Sequence, residues 1–404
     1  MDKKYDVVAL GNALLDVMAD VEDSHLASMG LAKASMSLVD VERAASIQTG
    51  LTPRQHVSGG SAANTVVGIA ALGGRAAYIG KLGADELGEL FAADITAAGV
   101  AFHPGSSGAV AARGDRGSHQ DLPTGRCIVM VTPDGERTMA TCLGAAGGLA
   151  PGDLDEELIA LSEVVYLEGY LWDLEPAKLA MRQAIDVAHE ADALVAFSAS
   201  DMFCVERHRE EFLALLDGEV DLLFANEAEA MALLLGHESA RDGAGDSAGE
   251  SGGAGESGGA GESGGAGDSG GAGDSGGAGE SGGPGDSGLG QVLETLGEMG
   301  VLAAVTRGAE GSDIVTPSGI VHVDAVPVAE LVDTTGAGDL YAAGFLFGLT
   351  HGYDPESSGR LGSLCAAEAV SHYGARPATD LSELAEQAGF APGGADRTVR
   401  LWHG

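Results

Sequence analysis

Short apolar runs alternate along this chain with longer segments in which apolar residues recur every third or fourth position. The short runs predict buried β-strands, at Tyr5–Leu10, Ala76–Ile79, Val164–Leu167, Ala193–Phe197, Asp221–Phe224 and Leu302–Thr306. The longer segments predict helices, at Ser61–Leu72, Glu86–Ala98, Pro176–Glu190, His208–Leu216, Glu227–Leu235, Leu289–Met299 and Gly338–Leu349. Strands separated by helices predict an α/β fold with a mostly parallel central sheet that is covered on both faces.

Two stretches interrupt this rhythm, at residues 16–58 and 102–144. They carry shorter alternating runs, such as Arg126–Val131, which is followed by the turn residues Pro133, Asp134 and Gly135. This pattern predicts antiparallel strands in a small sheet that stands off the main one. We therefore expect a large α/β domain made of residues 1–15, 59–101 and 145–404, with residues 16–58 and 102–144 forming a small β lid.

A low-complexity repeat interrupts the large domain between residues 242 and 288. Its unit is an acidic residue followed by Ser-Gly-Gly-Ala-Gly, and it contains no Leu, Ile, Val or aromatic residue before residue 289. A segment that cannot bury apolar area cannot offset the conformational entropy of ordering its chain. The repeat is thus expected to be a disordered acidic Gly/Ser-rich insertion.

The composition is strongly acidic, with 61 Asp and Glu against 21 Lys and Arg among 404 residues and a formal net charge of -40. This charge argues against nucleic acid or an anionic membrane as the partner. The 4 cysteines are scattered without metal-site or disulfide spacing, and no apolar stretch is long enough to span a membrane. We expect a cytoplasmic protein, and the charge suggests a salt-rich cytoplasm.

The strongest chemical signal is the heptad that runs from Asp333 to Asp339 (Asp-Thr-Thr-Gly-Ala-Gly-Asp), immediately before the apolar helix. Small residues let a ligand approach the backbone closely, and the start of a helix presents free N–H groups that suit a phosphate. A carboxylate in the first helical turn can accept a proton from a hydroxyl that attacks phosphorus. Asp339 is therefore a candidate general base.

The heptad resembles the signature of the ribokinase-like, or PfkB, carbohydrate and nucleoside kinases. The resemblance implies a three-layer α/β sandwich with a small β-sheet lid, an activity that uses ATP and Mg²⁺, and Asp339 as the catalytic base. It also implies that the amides of Gly336, Ala337 and Gly338 form an anion hole. In relatives, the residues that correspond to Asp333 and Thr335 contribute to a monovalent-cation site, which suggests K⁺ here.

Two N-terminal motifs resemble the substrate-binding motifs of this family. Asn12 and Asp16 lie in a Gly-Asn-Ala-Leu-Leu-Asp segment after the first strand, and a carboxylate can accept bonds from two sugar hydroxyls. Gly59 and Gly60 resemble the family's hinge glycines, and Asn64 resembles its substrate-binding asparagine. Glycines at such positions let a lid move and let the substrate contact bare backbone.

Nucleotide-binding residues are implied in two later segments. Asn226 and Glu229 follow a strand and resemble the family's Asn-x-x-Glu motif, which organises Mg²⁺, here through water. The same two residues would also cap a helix, so this alternative stays open. Thr306, Gly308 and Gly311 resemble the nucleotide-binding turn after a late strand, and Gly338 is shared with the anion hole.

Two further residues are candidate substrate contacts. Arg137 lies in a segment that resembles the family's lid, where an arginine reaches substrate or phosphate on closure, although a surface salt bridge would explain it equally simply. Tyr170 offers an aromatic ring for stacking on a base. The segment Ser371–Ala375 resembles the region beside the nucleotide base and the cation site.

The motifs together resemble adenosine-kinase-type members, so we expect phosphorylation of adenosine to AMP. Fructokinase or ribokinase activity uses the same motifs and remains an alternative. A non-catalytic ligand-binding regulator on the same fold is a further alternative, against which the intact Asp339 argues. We expect a monomer or a homodimer, because relatives of both kinds exist.

Overall fold

The computed structural model describes residues 3–33, 35–105, 122–134, 136–236 and 286–390. Its strands are β1 Tyr5–Leu10, β2 Leu14–Asp20, β3 Met36–Leu38, β4 Gln55–Gly59, β5 Ala76–Gly80, β6 Ala101–Pro104, β7 Gly125–Val131, β8 Arg137–Cys142, β9 Ser162–Glu168, β10 Leu194–Ser198, β11 Leu222–Asn226, β12 Leu302–Thr306, β13 Ser312–Thr316 and β14 Gly319–Val323. Its α-helices are α1 Asp23–Ser28, α2 Val41–Thr49, α3 Ser61–Ala71, α4 Glu86–Ala97, α5 Glu156–Ala160, α6 Glu175–Glu190, α7 Met202–Leu216, α8 Glu227–Leu235, α9 Asp286–Glu298, α10 Ala337–Thr350, α11 Pro355–Ala369 and α12 Leu381–Gln387.

Of the predicted insertion at residues 242–288, residues 242–285 lie outside the described residues. From Asp286 onward the chain is helical, because α9 begins there. The last three residues of the predicted insertion therefore belong to a helix, which corrects the expected boundary.

The main sheet has nine strands within the described residues, in the order β14-β13-β12-β11-β10-β9-β1-β5-β6. The pairings from β6 to β12 are parallel, and β13 and β14 complete one edge as an antiparallel hairpin. Since parallel strands end at the same edge, the loops that follow β1, β9, β10, β11 and β12 gather along it.

Side chains alternate across the main sheet into two apolar cores. Val8 and Leu10 of β1 belong to the core that includes residues of α6, α7, α8 and α9, whereas Val7 and Ala9 belong to the core that includes α3 and α10. Helices thus cover both faces of a mostly parallel sheet, which confirms the predicted three-layer α/β sandwich.

A second, five-stranded sheet has the order β3-β8-β7-β2-β4. One of its faces packs on α1 and α2 through Leu26, Ala44, Ile47, Ile128 and Met130. It is mixed rather than antiparallel, because β2 pairs with β7 and β3 with β8 in parallel. Parallel pairing arises where a strand returns after a crossover, and local alternation does not reveal that direction.

The structure also shifts the expected borders of the small sheet. Phe102, assigned to the lid, lies in β6 and pairs with Tyr78 of the main sheet. Conversely, Leu14 and Leu15 lie in β2, and Gly59 ends β4, so these residues belong to the small sheet. No helix in the described ranges is long and apolar enough to cross a membrane.

Candidate active site

The start of α10 is shaped by glycine. Gly336, the N-cap, has φ +80° in the left-handed region, and a Cβ added there would lie 2.4 Å from the Cβ of Ala375. No side chain caps the helix at Gly336. A Cβ added at Gly338 would meet no atom within 4 Å, so the backbone there is open to a ligand. The first turn can therefore direct its N–H groups at an anion.

The carboxyl group of Asp339 is held by two side chains from the first turn of α3. The Ser61 hydroxyl donates to Oδ1 at 2.6 Å, and the Asn64 amide donates to Oδ2 at 2.8 Å. Burial raises the pKa of Asp339, while these two bonds and the charge of Arg376 oppose the rise. The two donors fix the carboxylate beside the predicted anion hole, and Ser61 is a contact that the sequence analysis missed although it follows the glycine pair.

The two glycines of the predicted hinge make room for other parts of the candidate site. Gly60 has φ +98°, and a Cβ there would lie 2.3 Å from the carbonyl oxygen of Asn12. A Cβ at Gly59 would lie 2.5 Å from the carboxyl atoms of Asp16. Burial raises the pKa of Asp16 to about 7, against the opposing charges of Arg376 and Arg137. The structure thus brings Asn12, Asp16 and the glycine pair together.

Glu168, at the end of β9, is a buried acid that the sequence analysis did not assign. Its carboxylate accepts bonds from the side chain of Asn12 at 3.1 Å and from the backbone N–H of Ala62 at 3.0 Å. Burial raises its pKa to about 7, and these bonds oppose the rise. Its position at the carboxyl end of a parallel strand was the signal that could have found it.

A cavity of about 480 Å³ opens between the two sheets. One part of its lining is polar and comes from Asn12, Gly60, Ser61 and Glu168. Another part is apolar or aromatic and comes from Leu14, Met36, Leu38, Met139, Leu143, Tyr170 and Phe203. The remaining lining is polar or charged and comes from Thr141, Asp173, Asp201 and Arg207. Phe203 remains 63% exposed and Leu38 57% exposed, so part of the apolar surface on both sides of the cavity is open to solvent.

Arg137 connects the small sheet to the loop before α10. Its guanidinium lies 2.5 Å from the carboxylate of Asp333 and donates to the Thr335 hydroxyl at 3.1 Å. Both side chains of the ion pair are largely shielded, with 11% and 6% exposed, so this is no surface salt bridge. The Arg137 guanidinium therefore contacts both residues that were expected to contribute to a monovalent-cation site.

Asn226 and Glu229 cap α8 reciprocally. Glu229 N donates to Asn226 Oδ1 at 2.9 Å, and the Glu229 carboxylate accepts from the Asn226 amide at 2.6 Å and from its backbone N–H at 2.9 Å. Burial raises the pKa of Glu229 to about 7. The capping alternative is therefore present in the structure. Each carboxylate oxygen accepts one bond from Asn226 and keeps a further lone pair, which could accept a bond from a water of a hydrated Mg²⁺.

The predicted nucleotide turn lies beside this cap, because Thr306 of β12 pairs with Asn226 of β11. Gly308 and Gly311 both have positive φ, at +58° and +98°. A Cβ at Gly311 would lie 2.1 Å from the carbonyl oxygen of Val323, so only glycine fits there. Within the described part of the chain, no three His, Cys, Asp or Glu side chains cluster as metal ligands.

Arg376 is a second residue that the sequence analysis missed. Its guanidinium donates to the carbonyl oxygens of Ser58 and Ala63, and its charge acts on both Asp16 and Asp339. The residue stands far along the chain from these partners, so no local pattern could have indicated the contact.

The layered sheet, the small second sheet and the open helix start beside a buried carboxylate define a ribokinase-like kinase. Comparison with known families agrees, since the model of the pfkB family carbohydrate kinases matches residues 24–250 and 286–381. The chain belongs to this family and is a phosphotransferase with an alcohol group as acceptor.

Relatives carry both nucleoside and sugar kinase names. The chain is similar to the adenosine kinase of Sinorhizobium meliloti, with 39% identity, coverage of 95% of this chain and 99% of that one, and a TM-score of 0.73. A probable sugar kinase protein from Rhizobium etli CFN 42 is 36% identical, with coverage of 96% and 100% and a TM-score of 0.74. The adenosine kinase of Saccharomyces cerevisiae is 25% identical over 380 residues, covering 91% of this chain and 95% of that protein.

Proposed function

We propose that this enzyme transfers a phosphoryl group from ATP to the hydroxymethyl group of a nucleoside, with adenosine as the acceptor and AMP as the product. The observation that carries the proposal is the apolar and aromatic part of the cavity lining, which lies beside a polar part. A ribose matches the polar part near Asn12 and Ser61, and a flat base matches the apolar part made by Leu38, Tyr170 and Phe203. A free sugar has no flat apolar group to cover Leu38, Tyr170 and Phe203 and would leave that surface exposed to water.

In this proposal Asp339 is the general base. The bonds from Ser61 and Asn64 hold its carboxylate, and the amides of Gly336, Ala337 and Gly338 stabilise the charge of the transferring group. Phosphoryl transfer depends mainly on positioning and on charge stabilisation, and one such backbone donor contributes about 3 kcal/mol in comparable sites.

ATP would lie against the turn that contains Thr306, Gly308 and Gly311, next to the cap formed by Asn226 and Glu229. Mg²⁺, held there through water, would neutralise charge on the nucleotide phosphates. Asp333 and Thr335 remain candidates for K⁺, which would have to share them with Arg137.

The small sheet would act as a lid on this site, because Met36 and Leu38 on β3 and Met139 on β8 line the cavity. Closure would exclude water and bring apolar side chains against the base. With the borders that the strands give, the lid comprises residues 14–59 and 122–143, joined to the large domain at Gly59 and Gly60.

A free sugar is the second candidate acceptor, favoured by the similarity to a probable sugar kinase. A panel of adenosine, inosine, ribose, fructose and 2-keto-3-deoxygluconate with ATP distinguishes the two by the rate of ADP formation. We expect adenosine to give the highest kcat/KM and Phe203→Ala to weaken it about tenfold through KM, because the change removes a large apolar contact. Higher kcat/KM with fructose or ribose would reject the nucleoside assignment.

The base assignment has its own test. Asp339→Asn should lower kcat at least about a hundredfold while the protein stays folded, since the amide keeps the shape of the carboxylate but accepts no proton. Asp324→Asn, at a fully exposed side chain, is the matched control and should retain activity. Acceptor binding without ADP formation by the unmodified protein would instead favour the non-catalytic regulator.

A further inference from the structure

Three consecutive residues, Gly374, Ala375 and Arg376, tie the anion-hole loop to the hinge of the small sheet, and we call them the strap. Gly374 N donates to Asp333 Oδ2 at 2.7 Å. Ala375 packs so closely on Gly336 that no side chain would fit there. The strap is therefore fixed by its first residue to the loop before α10 and by its second to the N-cap of that helix.

The third residue of the strap reaches the hinge. Arg376 Nε donates to the carbonyl oxygen of Ser58 at 3.0 Å, and one terminal nitrogen donates to the carbonyl oxygen of Ala63 at 3.2 Å. The other terminal nitrogen donates to the Ser58 hydroxyl at 2.7 Å. A planar guanidinium can hold two such backbone segments in a fixed relation, and a lysine cannot reproduce that geometry.

The two backbone segments that Arg376 holds lie next to residues of the proposed acceptor site. Ser58 precedes Gly59, against which the carboxyl group of Asp16 lies. Ala63 precedes Asn64, whose side chain holds Asp339. A shift of the Arg376 guanidinium would therefore move the carboxylate of Asp16, a predicted substrate contact, relative to Asp339, the candidate base.

We propose that Arg376 is a positioning residue for phosphoryl transfer, which sets the hinge and the first turn of α3 against each other and supplies the cation facing Asp16 and Asp339. The inference rests on the proposed kinase function. Besides Arg376, the groups whose charge interacts with Asp339 are Asp16 on β2 and Glu168 and Tyr166 on β9. Arg376 is the cation that acts on Asp339, so its loss leaves Asp339 facing these acids without an opposing charge. Asp16 would still face Arg137, and Arg376 itself also faces Asp94 on α4 and Tyr78 on β5.

The test compares the wild type with Arg376→Lys, Arg376→Met and the control Arg360→Met, which removes an exposed arginine paired with Glu356. The kcat and KM for adenosine are measured from about pH 5.5 to 8.5, because the profile of kcat/KM reports the pKa of essential groups in the free enzyme. We expect Arg376→Met to lower kcat/KM at least about tenfold and to move its acid limb up by about one pH unit.

The lysine variant separates geometry from charge. Arg376→Lys should keep the acid limb in place because it keeps the positive charge, yet kcat should fall because the paired backbone bonds are lost. Wild-type kcat in both variants, or an acid limb that Arg376→Met leaves unmoved, would overturn the inference. If the methionine variant does not fold, the lysine variant still decides the outcome, since wild-type kcat there rejects the positioning role.

A readout that needs no activity keeps the inference separate from the proposed function. Amide hydrogen exchange of residues 58–64 should become faster in Arg376→Lys and stay unchanged in Arg360→Met, since only the first change frees the hinge backbone. A wild-type enzyme that phosphorylates no acceptor would defeat the proposed function. Unchanged amide exchange of residues 58–64 in Arg376→Lys would reject the positioning role of Arg376.

Discussion

Replacing Gly60 by alanine tests the claim that the hinge needs bare backbone. Two effects add at this position. A φ of +98° is unfavourable for any residue with a Cβ, at about 1–2 kcal/mol. The new Cβ would also lie 2.3 Å from the carbonyl oxygen of Asn12, about 1 Å closer than ordinary contact allows, and such overpacking adds about 1–3 kcal/mol.

The strain at Gly60 should be relieved by movement of the hinge, which would displace Asn12 and the start of α3 by about 1 Å. A displacement of that size near reacting groups lowers activity about a hundredfold. We therefore expect Gly60→Ala to lose about 2–5 kcal/mol of stability, from summing the two effects, and about two orders of magnitude in kcat/KM. Urea unfolding and steady-state rates of ADP formation measure the two quantities.

Gly73→Ala is the matched control for this change. Gly73 also has positive φ, at +91°, but a Cβ there would meet no atom within 4 Å. It should show only the conformational penalty of about 1–2 kcal/mol, with kcat/KM unchanged. If Gly60→Ala kept the kcat/KM of the wild type, or lost no more stability than Gly73→Ala, the close approach to Asn12 would not matter and the reasoning would be refuted.

The remaining predictions concern pH and the repeat. Because burial raises the pKa of Glu168 from about 4.5 to about 7, its folded form binds the proton more tightly than the unfolded chain does, and the stability it contributes is lost as the pH rises through this range. The unfolding free energy of the wild type should fall by about 3 kcal/mol more than that of Glu168→Gln between pH 4.5 and 7. The control Glu294→Gln, at an exposed position, should fall as the wild type does. An equal fall in the wild type and in Glu168→Gln would contradict this prediction. Replacing residues 242–285 with a linker of about twelve residues should leave kcat unchanged and stabilise the fold by about 1 kcal/mol, since each halving of loop length contributes about 0.6 kcal/mol. A large loss of kcat on that deletion would show that the repeat takes part in function.

Much of the fold and several motif contacts could be predicted from the sequence because they depend on local order along the chain. The strands of the main sheet follow from apolar runs, and the helix start at Gly336 follows from a heptad of small residues. The proximity of Asn64 to Asp339 was implied only by resemblance, and the structure joins them at 2.8 Å. The prediction that the small sheet is antiparallel was wrong, because strand direction depends on which distant strands pair.

The sequence by itself determined the class of fold, the family and the motif residues, since periodicity, turn chemistry and short motifs are properties of neighbouring positions. Only the tertiary structure decided that Glu168 bonds Asn12, that Arg137 lies on Asp333 and that Arg376 bonds both β4 and α3. Each of these contacts joins elements far apart in the chain, and the partners that folding alone brings near offset the cost of burying the ionisable group. The cavity, too, exists only where two sheets from separate stretches face each other.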